Sequence, residues 1–357
     1  MDIGLIFFAD SPAVETDRYG LLLASARFAD THGFSAVWTP ERHFHSFGGQ
    51  YPNPAVIGAA LAATTSRVHI RAGSVVAPLH HPVRIAEEWS VVDNLSGGRT
   101  GVSFASGWHS VDFVFNPEAY RDRKRVMSQT LETVRKLWRG EEVEFPGPEG
   151  THAVRIHPAP IQRDLPVWIT AAGSPETFRL AGRLGAGVLT HQLGQEHEAL
   201  ERNIAAYRAE LAAVHGDGAH GHVALMLHTL LGPDRDTVRD LVHDPLLEYL
   251  RSSMSLSMLA PAAAEPGGFD LTRISAQDRE FLLERAFDRH FTTSGLFGSV
   301  EDAAESARRL AAIGVDEIAC LIDFGVARDQ VLRSLDRLGE LVPLAAGFGA
   351  SIPAATR

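Results

Sequence analysis

The chain has 357 residues, of which 45% are hydrophobic and 22% are charged, the composition of a globular protein. Its 33 Lys and Arg residues against 44 Asp and Glu residues give a net charge of −11, and no basic stripe suits a nucleic acid. No apolar segment approaches the roughly 20 residues of a membrane span, and Asp2 stands where a signal peptide is basic. We therefore expect a cytoplasmic protein that contacts neither membrane nor nucleic acid.

Strand-like and helix-like segments alternate along the chain. Eight apolar runs have the composition of buried strands, at residues 3–8, 35–39, 67–77, 100–105, 167–171, 187–190, 223–231 and 317–322. Helical periodicity is found at residues 17–32, 56–65, 82–95, 116–139, 175–184, 195–215, 236–259, 276–290, 300–313 and 329–341. This alternation predicts an α/β protein with a (β/α)8 TIM barrel, and an open doubly wound sheet is the alternative.

Several segments depart from a simple repeat. Residues 141–161 are rich in Pro, Gly and His and predict a small hairpin, while the region after the seventh strand is longer than a barrel repeat requires. Gly73 and Ser74 interrupt the third strand and indicate a bulge. Residues 1–345 are expected to form a single domain, and residues 346–357 a disordered tail.

Two stretches, residues 100–109 and 166–177, end an apolar strand in small residues, which let the backbone approach a ligand and present its amide groups. The second continues into a helix with Ser174 as N-cap and Pro175 at the first helical position, a place that suits a phosphate. The alternative is that small residues merely end these strands tightly.

The loop after the second strand contains Arg42, His43 and His45. A histidine there could act as general acid or base, and an arginine could bind an anion. The alternatives are a loop held by hydrogen bonds from these side chains, and a metal site of the kind found in barrel hydrolases. That metal site would add ligands from His80, His81, His109 and His191. Trp108 either stacks on a ring or packs in the wall.

The motifs PERHF at 40–44, HPVR at 81–84 and AAGSPET at 171–177 resemble, in order and spacing, the bacterial luciferase-like flavin monooxygenases. The longer segments TPERHFHSFGG, SFASGWH, TAAGSPETFRLAG, TSGLFG and IGVDEIACLIDFGV are similar to the subgroup encoded beside polyketide and nonribosomal peptide assembly lines. The resemblance covers nearly the whole chain, to about residue 341.

The resemblance implies a barrel that binds reduced FMN at the carboxyl ends of its strands, with O2 as co-substrate. It implies that Ser74 meets the flavin, often at a non-proline cis peptide, here Gly73–Ser74. Residues 106–108 and the 172–177 segment would contact the phosphate. The cofactor contacts predicted in this way are Gly73, Ser74, Ser106, Gly107, Trp108, Ala172, Gly173, Ser174 and Thr177.

Two positions depart from luciferase itself. Luciferase has a histidine pair after the second strand, whereas here Arg42 takes the first position and only His43 is retained. Its reactive cysteine is replaced by Ala105, which argues against aldehyde oxidation with light emission. By resemblance, Arg42 and His43 are the catalytic candidates.

The implied function is a two-component monooxygenase that receives FMNH2 from a separate reductase and inserts one oxygen atom into a natural-product intermediate. The reaction is a hydroxylation or a Baeyer–Villiger insertion, and a carrier protein is a candidate to hold the substrate. His45, His109 and His191 are expected in the substrate pocket, no metal is expected, and the resemblance implies a homodimer. The alternatives are an F420-dependent oxidoreductase on the same barrel and a non-catalytic flavin-binding protein.

Overall fold

The computed structural model describes residues 1–8, 17–45, 48–193, 195–259 and 275–348. Residues 349–357, most of the predicted tail, lie outside the described residues. The strands are β1 Asp2–Ile6, β2 Ala36–Thr39, β3 His69–Val76, β4 Thr100–Ala105, β5 Val143–Gly147, β6 Gly150–Val154, β7 Val167–Ala171, β8 Gly187–His191, β9 Val223–Leu231, β10 Leu296–Gly298 and β11 Glu317–Leu321. The helices are α1 Gly20–Thr31, α2 Pro54–Thr64, α3 Pro82–Ser96, α4 Arg123–Trp138, α5 Pro175–Arg183, α6 His197–His215, α7 Arg235–Leu259, α8 Ala276–Arg289, α9 Val300–Ala312 and α10 Arg328–Ala345.

Eight of these strands form a closed parallel barrel. The order is β1, β2, β3, β4, β7, β8, β9 and β11, and β11 pairs in parallel with β1 to close it, with Asp2 opposite Glu317. Continuous apolar strands suit this arrangement because each strand is covered by helices outside and by side chains inside. The predicted (β/α)8 barrel is confirmed, and each predicted strand agrees with an observed one within two residues at either end.

The two segments expected to depart from the repeat do so. Residues 143–154 form an antiparallel hairpin of β5 and β6, as predicted. After β9 the chain forms the long helix α7, then α8 and a π-helical turn at His290–Ser294 before β10. The three-residue strand β10 pairs with the last residues of β9 and was not predicted, because so short a segment has no periodicity to detect.

Two helix boundaries differ from the sequence prediction. The helix expected from residue 116 begins at Arg123, because residues 110–115 and 117–119 form short 3-10 turns in front of it. The last helix continues to Ala345 although Pro343 lies within it. The proline removes one hydrogen bond to the carbonyl four residues before it, Gly339, and the helix continues for two residues beyond it. None of the helices in the described residues is both long and apolar enough to cross a membrane.

The barrel interior is filled by a polar cluster towards the amino ends of the strands. The Arg71 guanidinium lies between two indoles, 4.9 Å from the ring centre of Trp38 and 4.7 Å from that of Trp168. Its Nη1 contacts Glu317 Oε2 at 2.5 Å, and Trp38 Nε1 donates to Glu317 Oε1 at 2.9 Å. This packed layer fills the amino end of the barrel.

Candidate active site

A cavity of about 320 Å³ lies at the carboxyl ends of the barrel strands. Loops that follow β1, β2, β3, β4, β7 and β8 surround it, as expected for the functional face of such a barrel. All of the site residues predicted from sequence except Gly173 line this cavity: Arg42, His43, His45, Gly73, Ser74, Ser106, Gly107, Trp108, His109, Ala172, Ser174, Thr177 and His191. Residues separated by up to 149 positions in sequence are therefore brought to one place.

The irregularity predicted in the third strand is present in the cavity wall. The Gly73–Ser74 peptide bond is cis, and the pairing of β3 with β4 shifts register between Gly73 and Val75. Both residues face the cavity. The cis bond is at the position where the family resemblance placed it.

One end of the cavity is built from small residues and a helix N-terminus. Gly107 has a φ of +73°, and a Cβ there would lie 2.9 Å from Val76 Cγ1, so only glycine fits without movement. Gly173 has a φ of +100° and precedes α5, whose N-cap is Ser174. The Ser174 side chain makes no capping hydrogen bond to its own helix. These features suit a phosphate group at a helix N-terminus.

Two buried amides brace this end from behind. Asn203 Nδ2 donates to the Gly173 carbonyl at 3.1 Å and to Gln195 Oε1 at 2.8 Å. Gln195 Nε2 in turn donates to the His191 carbonyl at 3.0 Å. The pair ties the loop after β7 to the end of β8. Neither residue was selected from the sequence, since both fell in or beside a predicted helix.

His43 is held by a buried carboxylate. Its Nε2 lies 2.8 Å from Glu41 Oε1, and His80 Nε2 lies 2.5 Å from the same oxygen. The backbone N–H of Val76 donates to Glu41 Oε2 at 2.7 Å. Burial by itself raises the pKa of Glu41, but these hydrogen bonds outweigh it and hold the pKa below its usual value. Glu41 is therefore an anion that orients His43.

Arg42 forms part of the wall between two aromatic rings. Its guanidinium carbon lies 4.8 Å from the centre of the Phe8 ring and 5.9 Å from that of Trp108. Burial lowers the pKa of Arg42, whereas the nearby Tyr249 and Asp112 favour its charged form. A guanidinium keeps its proton at neutral pH even so. The cavity thus contains a fixed positive charge beside His43.

Histidines of low basicity lie at the β8 and β9 side. Burial lowers the pKa of His191, whose Nδ1 has no hydrogen-bond partner in the described residues. His290 Nε2 lies 3.0 Å from His228 Nδ1, and burial, with Arg289 and His191 nearby, lowers the pKa of His290 to about 4. The pKa of His228 is also far below its usual value because of burial. All three rings are neutral at pH 7.

The mouth of the cavity carries aromatic side chains. Trp108 lines the cavity and is 46% exposed, and the Phe44 and Phe115 rings stack at 5.5 Å and both contact the ring of His43. His109 Nδ1 lies 3.2 Å from Asp112 Oδ1. Trp108 therefore neither packs fully in the wall nor is isolated from the cavity, and it is placed to contact a ligand that enters.

The sequence does not identify every residue of the site. Glu41 lies within the PERHF motif but has no predicted role, and His80 is a candidate only for the alternative metal site. His228 and His290 lie within predicted elements and have no predicted role. For His228 the sequence does contain a signal, because a histidine inside the apolar run 223–231 is an unusual polar residue in a buried strand. In the described parts of the chain, potential metal ligands gather at Asp2, His222 and Glu317, at the opposite end of the barrel from His43.

A comparison with known proteins places the chain in a family. The family described as luciferase-like monooxygenase matches residues 1–317. The flavin-dependent trigonelline monooxygenase, oxygenase component, of Acinetobacter baylyi is 24% identical over 343 residues, covering 91% of this chain and 89% of that protein. The 4-hydroxyprotoasukamycin monooxygenase of Streptomyces nodosus subsp. asukaensis is 26% identical over 298 residues, covering 80% and 75%.

The crystal structure of the monooxygenase RslO1 from Streptomyces bottropensis has the same fold. It superposes with a TM-score of 0.79 at 22% identity, and the match covers 96% of this chain and 99% of that one. The family match extends over most of the barrel, including every strand that contributes to the cavity. The enzyme class predicted from the motifs is confirmed: the chain belongs to the luciferase-like monooxygenase family.

Proposed function

We propose that the protein is the oxygenase component of a two-component monooxygenase that uses reduced FMN and O2 to insert one oxygen atom into a natural-product intermediate. The observation that carries this proposal is the single cavity, which joins a glycine-lined helix N-terminus to a histidine held by a buried carboxylate. Bound reduced flavin would supply the electrons that activate O2. The relative named as an oxygenase component supports a separate reductase.

The cavity fits a flavin phosphate at one end and a flat ring along its wall. Its volume is within the range of small-molecule sites. Ser106, Gly107, Ala172, Ser174 and Thr177 would hold the phosphate, because all five line the cavity and Ser174 is the N-cap of α5. Gly73 and Ser74 would flank the ring, with Trp108 near the mouth. Apolar side chains between these groups exclude water, which protects reactive species from hydrolysis.

The two catalytic candidates have complementary tasks. Glu41 fixes the ring of His43 and leaves its other nitrogen for proton transfer in the cavity. Arg42 keeps a positive charge beside it that stabilises a developing negative charge.

His45, His109 and His191 would shape the substrate pocket. Because His191 is neutral and its Nδ1 has no partner in the described residues, it suits an uncharged polar group of the substrate. The relative named for 4-hydroxyprotoasukamycin supports a natural-product substrate. A carrier protein that holds this substrate, a homodimer and a cytoplasmic location remain part of the proposal.

The decisive experiment is an anaerobic titration of the purified protein with FMNH2, followed by rapid mixing with air-saturated buffer. Tight binding and a transient absorbing species before oxidised flavin forms are expected. Binding without such a species would favour a non-catalytic flavin-binding protein. Absence of binding, with turnover of reduced F420 under nitrogen, would replace the proposal with the deazaflavin oxidoreductase.

A paired substitution tests the residue roles. The double variant Arg42→Ala, His43→Ala should still bind FMNH2 but lose coupled oxygen transfer by about 100-fold or more, the usual contribution of general acid–base catalysis. The matched control is His152→Ala, Arg155→Ala, which removes an exposed histidine and arginine at the β5–β6 hairpin. Full coupling in the first double variant would remove both residues from the mechanism.

A further inference from the structure

The buried carboxylate of Glu41, which lines the cavity together with His43, also contacts His80 behind it. The side chain of Glu41 is 1% exposed, that of His43 in the cavity wall is 8% exposed, and that of His80 is 33% exposed. The three groups therefore form a line from the cavity, through a buried anion, to a ring in contact with solvent. His80 does not line the cavity.

The geometry of this line suits proton movement. Both imidazoles contact the same carboxylate oxygen, Glu41 Oε1, through their Nε2 atoms at 2.8 and 2.5 Å. A proton can therefore pass between them without rotation of the carboxyl group. The Val76 N–H fixes the other oxygen at 2.7 Å and keeps the carboxyl in place. Short charge-assisted hydrogen bonds of this kind are strong and polarise one another.

We propose that Glu41 and His80 form a proton relay between His43 in the cavity and bulk solvent. The inference rests on the proposed function, since it requires that His43 exchange a proton with the reacting groups. Glu41 and His80 act through His43 and are positioning residues for the reaction. The relay gives the cavity a route for protons that does not admit water.

The proton transfer from the cavity to solvent needs no reactant other than water. A group in the cavity gives its proton to the free ring nitrogen of His43, and the Nε2 proton of His43 moves to Glu41 Oε1. His80, in the tautomer with an unprotonated Nε2, takes that proton and loses its Nδ1 proton to water. Each step breaks one N–H or O–H bond and makes another, and Glu41 is a carboxylate again at the end.

The charges around the relay favour a proton at its solvent end. Burial lowers the pKa of His80, but the hydrogen bond and the charge of Glu41 outweigh this and raise it above its usual value. The other charged groups that act on His80 are Glu88 and Arg84, both on α3. Glu41 Oε1 contacts the Nε2 atoms of His43 and His80, Glu41 Oε2 accepts from the Val76 N–H, and the His43 ring packs against Phe44 and Phe115.

Three variants test the relay. His80→Ala removes the outer ring, and His80→Gln keeps an amide that can donate to Glu41 but cannot take up and release a proton. The control is His81→Gln, the neighbouring residue, whose ring contacts the Val83 N–H and Phe145 rather than Glu41. The measured quantity is the rate of flavin reoxidation on the protein after mixing FMNH2-loaded enzyme with O2, with and without imidazole in the buffer.

We expect His80→Ala and His80→Gln both to slow reoxidation by about tenfold, since proton transfer then becomes limiting. Imidazole should restore the rate of His80→Ala in proportion to its concentration but leave His80→Gln slow, because glutamine fills the site. His81→Gln should match the wild type. A wild-type rate in His80→Gln would show that residue 80 only holds Glu41 in place by a hydrogen bond, and would overturn the relay.

A second measurement needs no flavin. In the cofactor-free protein, His80→Gln should change the imidazole nitrogen NMR signals of His43, because both rings contact Glu41 Oε1. Unchanged His43 signals would contradict the relay. A protein that shows this coupling but fails to bind FMNH2 would instead contradict the proposed function, so the two failures are distinguishable.

Discussion

The two ends of the barrel interior bury similar groups but differ in how those groups are paired. At the amino end, Glu317 contacts Trp38, Arg71 and His222, and Trp168 Nε1 donates to His222 Nδ1. At the carboxyl end, His191 Nδ1 and His228 Nε2 have no partner in the described residues, beside a cavity of about 320 Å³.

This difference in pairing distinguishes a polar cluster that stabilises the fold, at the amino end, from a site that can bind a ligand, at the carboxyl end. Buried polar groups are costly unless they are paired, so a fold tolerates unpaired ones where a ligand completes them. Four experiments test this contrast, each with a matched control variant.

The largest effect is expected at the amino end. Glu317→Gln leaves the Arg71 guanidinium buried without its counter-charge, so the free energy of unfolding should fall by about 3–5 kcal/mol. Urea denaturation measures this change. Glu305→Gln, which removes an exposed partner of Arg308, should lower it by less than about 1 kcal/mol. Equal losses in the two variants would show that the buried pair is no more important than a surface pair.

Two glycine substitutions distinguish an effect on cofactor binding at the carboxyl end from a general effect on stability. Gly107→Ala and Gly97→Ala impose the same left-handed strain, at φ of +73° and +72°, which costs about 1–2 kcal/mol of stability in each, and Gly107→Ala adds the cost of a Cβ that would lie 2.9 Å from Val76 Cγ1. Only the Gly107 Cβ would meet neighbours, because nothing lies within 4 Å at Gly97. Titration with FMNH2 should therefore show affinity at least about tenfold weaker for Gly107→Ala alone. Similar affinities in both variants would remove Gly107 from the cofactor site.

The buried histidines at the carboxyl end predict a dependence of stability on pH. Burial depresses the pKa of His228 and of His290, the latter to about 4, so below pH 6.5 the unfolded chain binds more protons than the folded one. Stability should fall as pH falls from about 6.5 to 5, by up to roughly 1.4 kcal/mol per pH unit for each histidine. The double variant His228→Phe, His290→Leu should flatten this slope in thermal or urea unfolding.

His243 provides the control of opposite sign. Its pKa is raised, chiefly by a hydrogen bond with Asp244, so its contribution is complete below pH 6.5 and is lost as pH rises through its folded-state pKa. His243→Gln should therefore change the slope only above pH 6.5. An unchanged slope between pH 6.5 and 5 in the double variant would show that other groups cause the acid sensitivity.

The smallest effect is expected for His191→Leu. Because the Nδ1 of His191 has no partner to lose in the described residues, the free energy of unfolding should change by less than about 1 kcal/mol. His222→Leu at the amino end leaves the Trp168 indole N–H without its acceptor and should cost about 1–3 kcal/mol. Urea unfolding of both variants gives the comparison. A larger loss of unfolding free energy for His191→Leu than for His222→Leu would contradict the contrast between the two ends.

Much of the architecture was predictable from local patterns. The apolar runs of the eight barrel strands and the turn residues between them are short-range signals, and they located each strand within two residues. β10 was missed because three residues carry no period, and the early start predicted for α4 arose because helical periodicity continued through residues that form 3-10 turns.

The candidate site was predictable only in part. Arg42, His43 and the glycine segments were recognised from motif resemblance, and the fold brings them to one cavity. The partnership of Glu41 with His80, 39 positions away, has no local signal. The same holds for the pair of His228 and His290, separated by 62 positions.

The sequence by itself determined the order of the eight barrel strands through their hydrophobic periodicity, and motif resemblance determined the barrel and the enzyme family, because hydrophobic period and motif spacing are properties of neighbouring residues. Only the tertiary structure decided which polar groups are satisfied. Closure of β11 onto β1 forms the interior in which Glu317 finds Arg71 and Trp38. The same closure leaves two ring atoms, His191 Nδ1 and His228 Nε2, without a partner among the described residues at the other end, since pairing across a barrel depends on how distant strands are arranged in space.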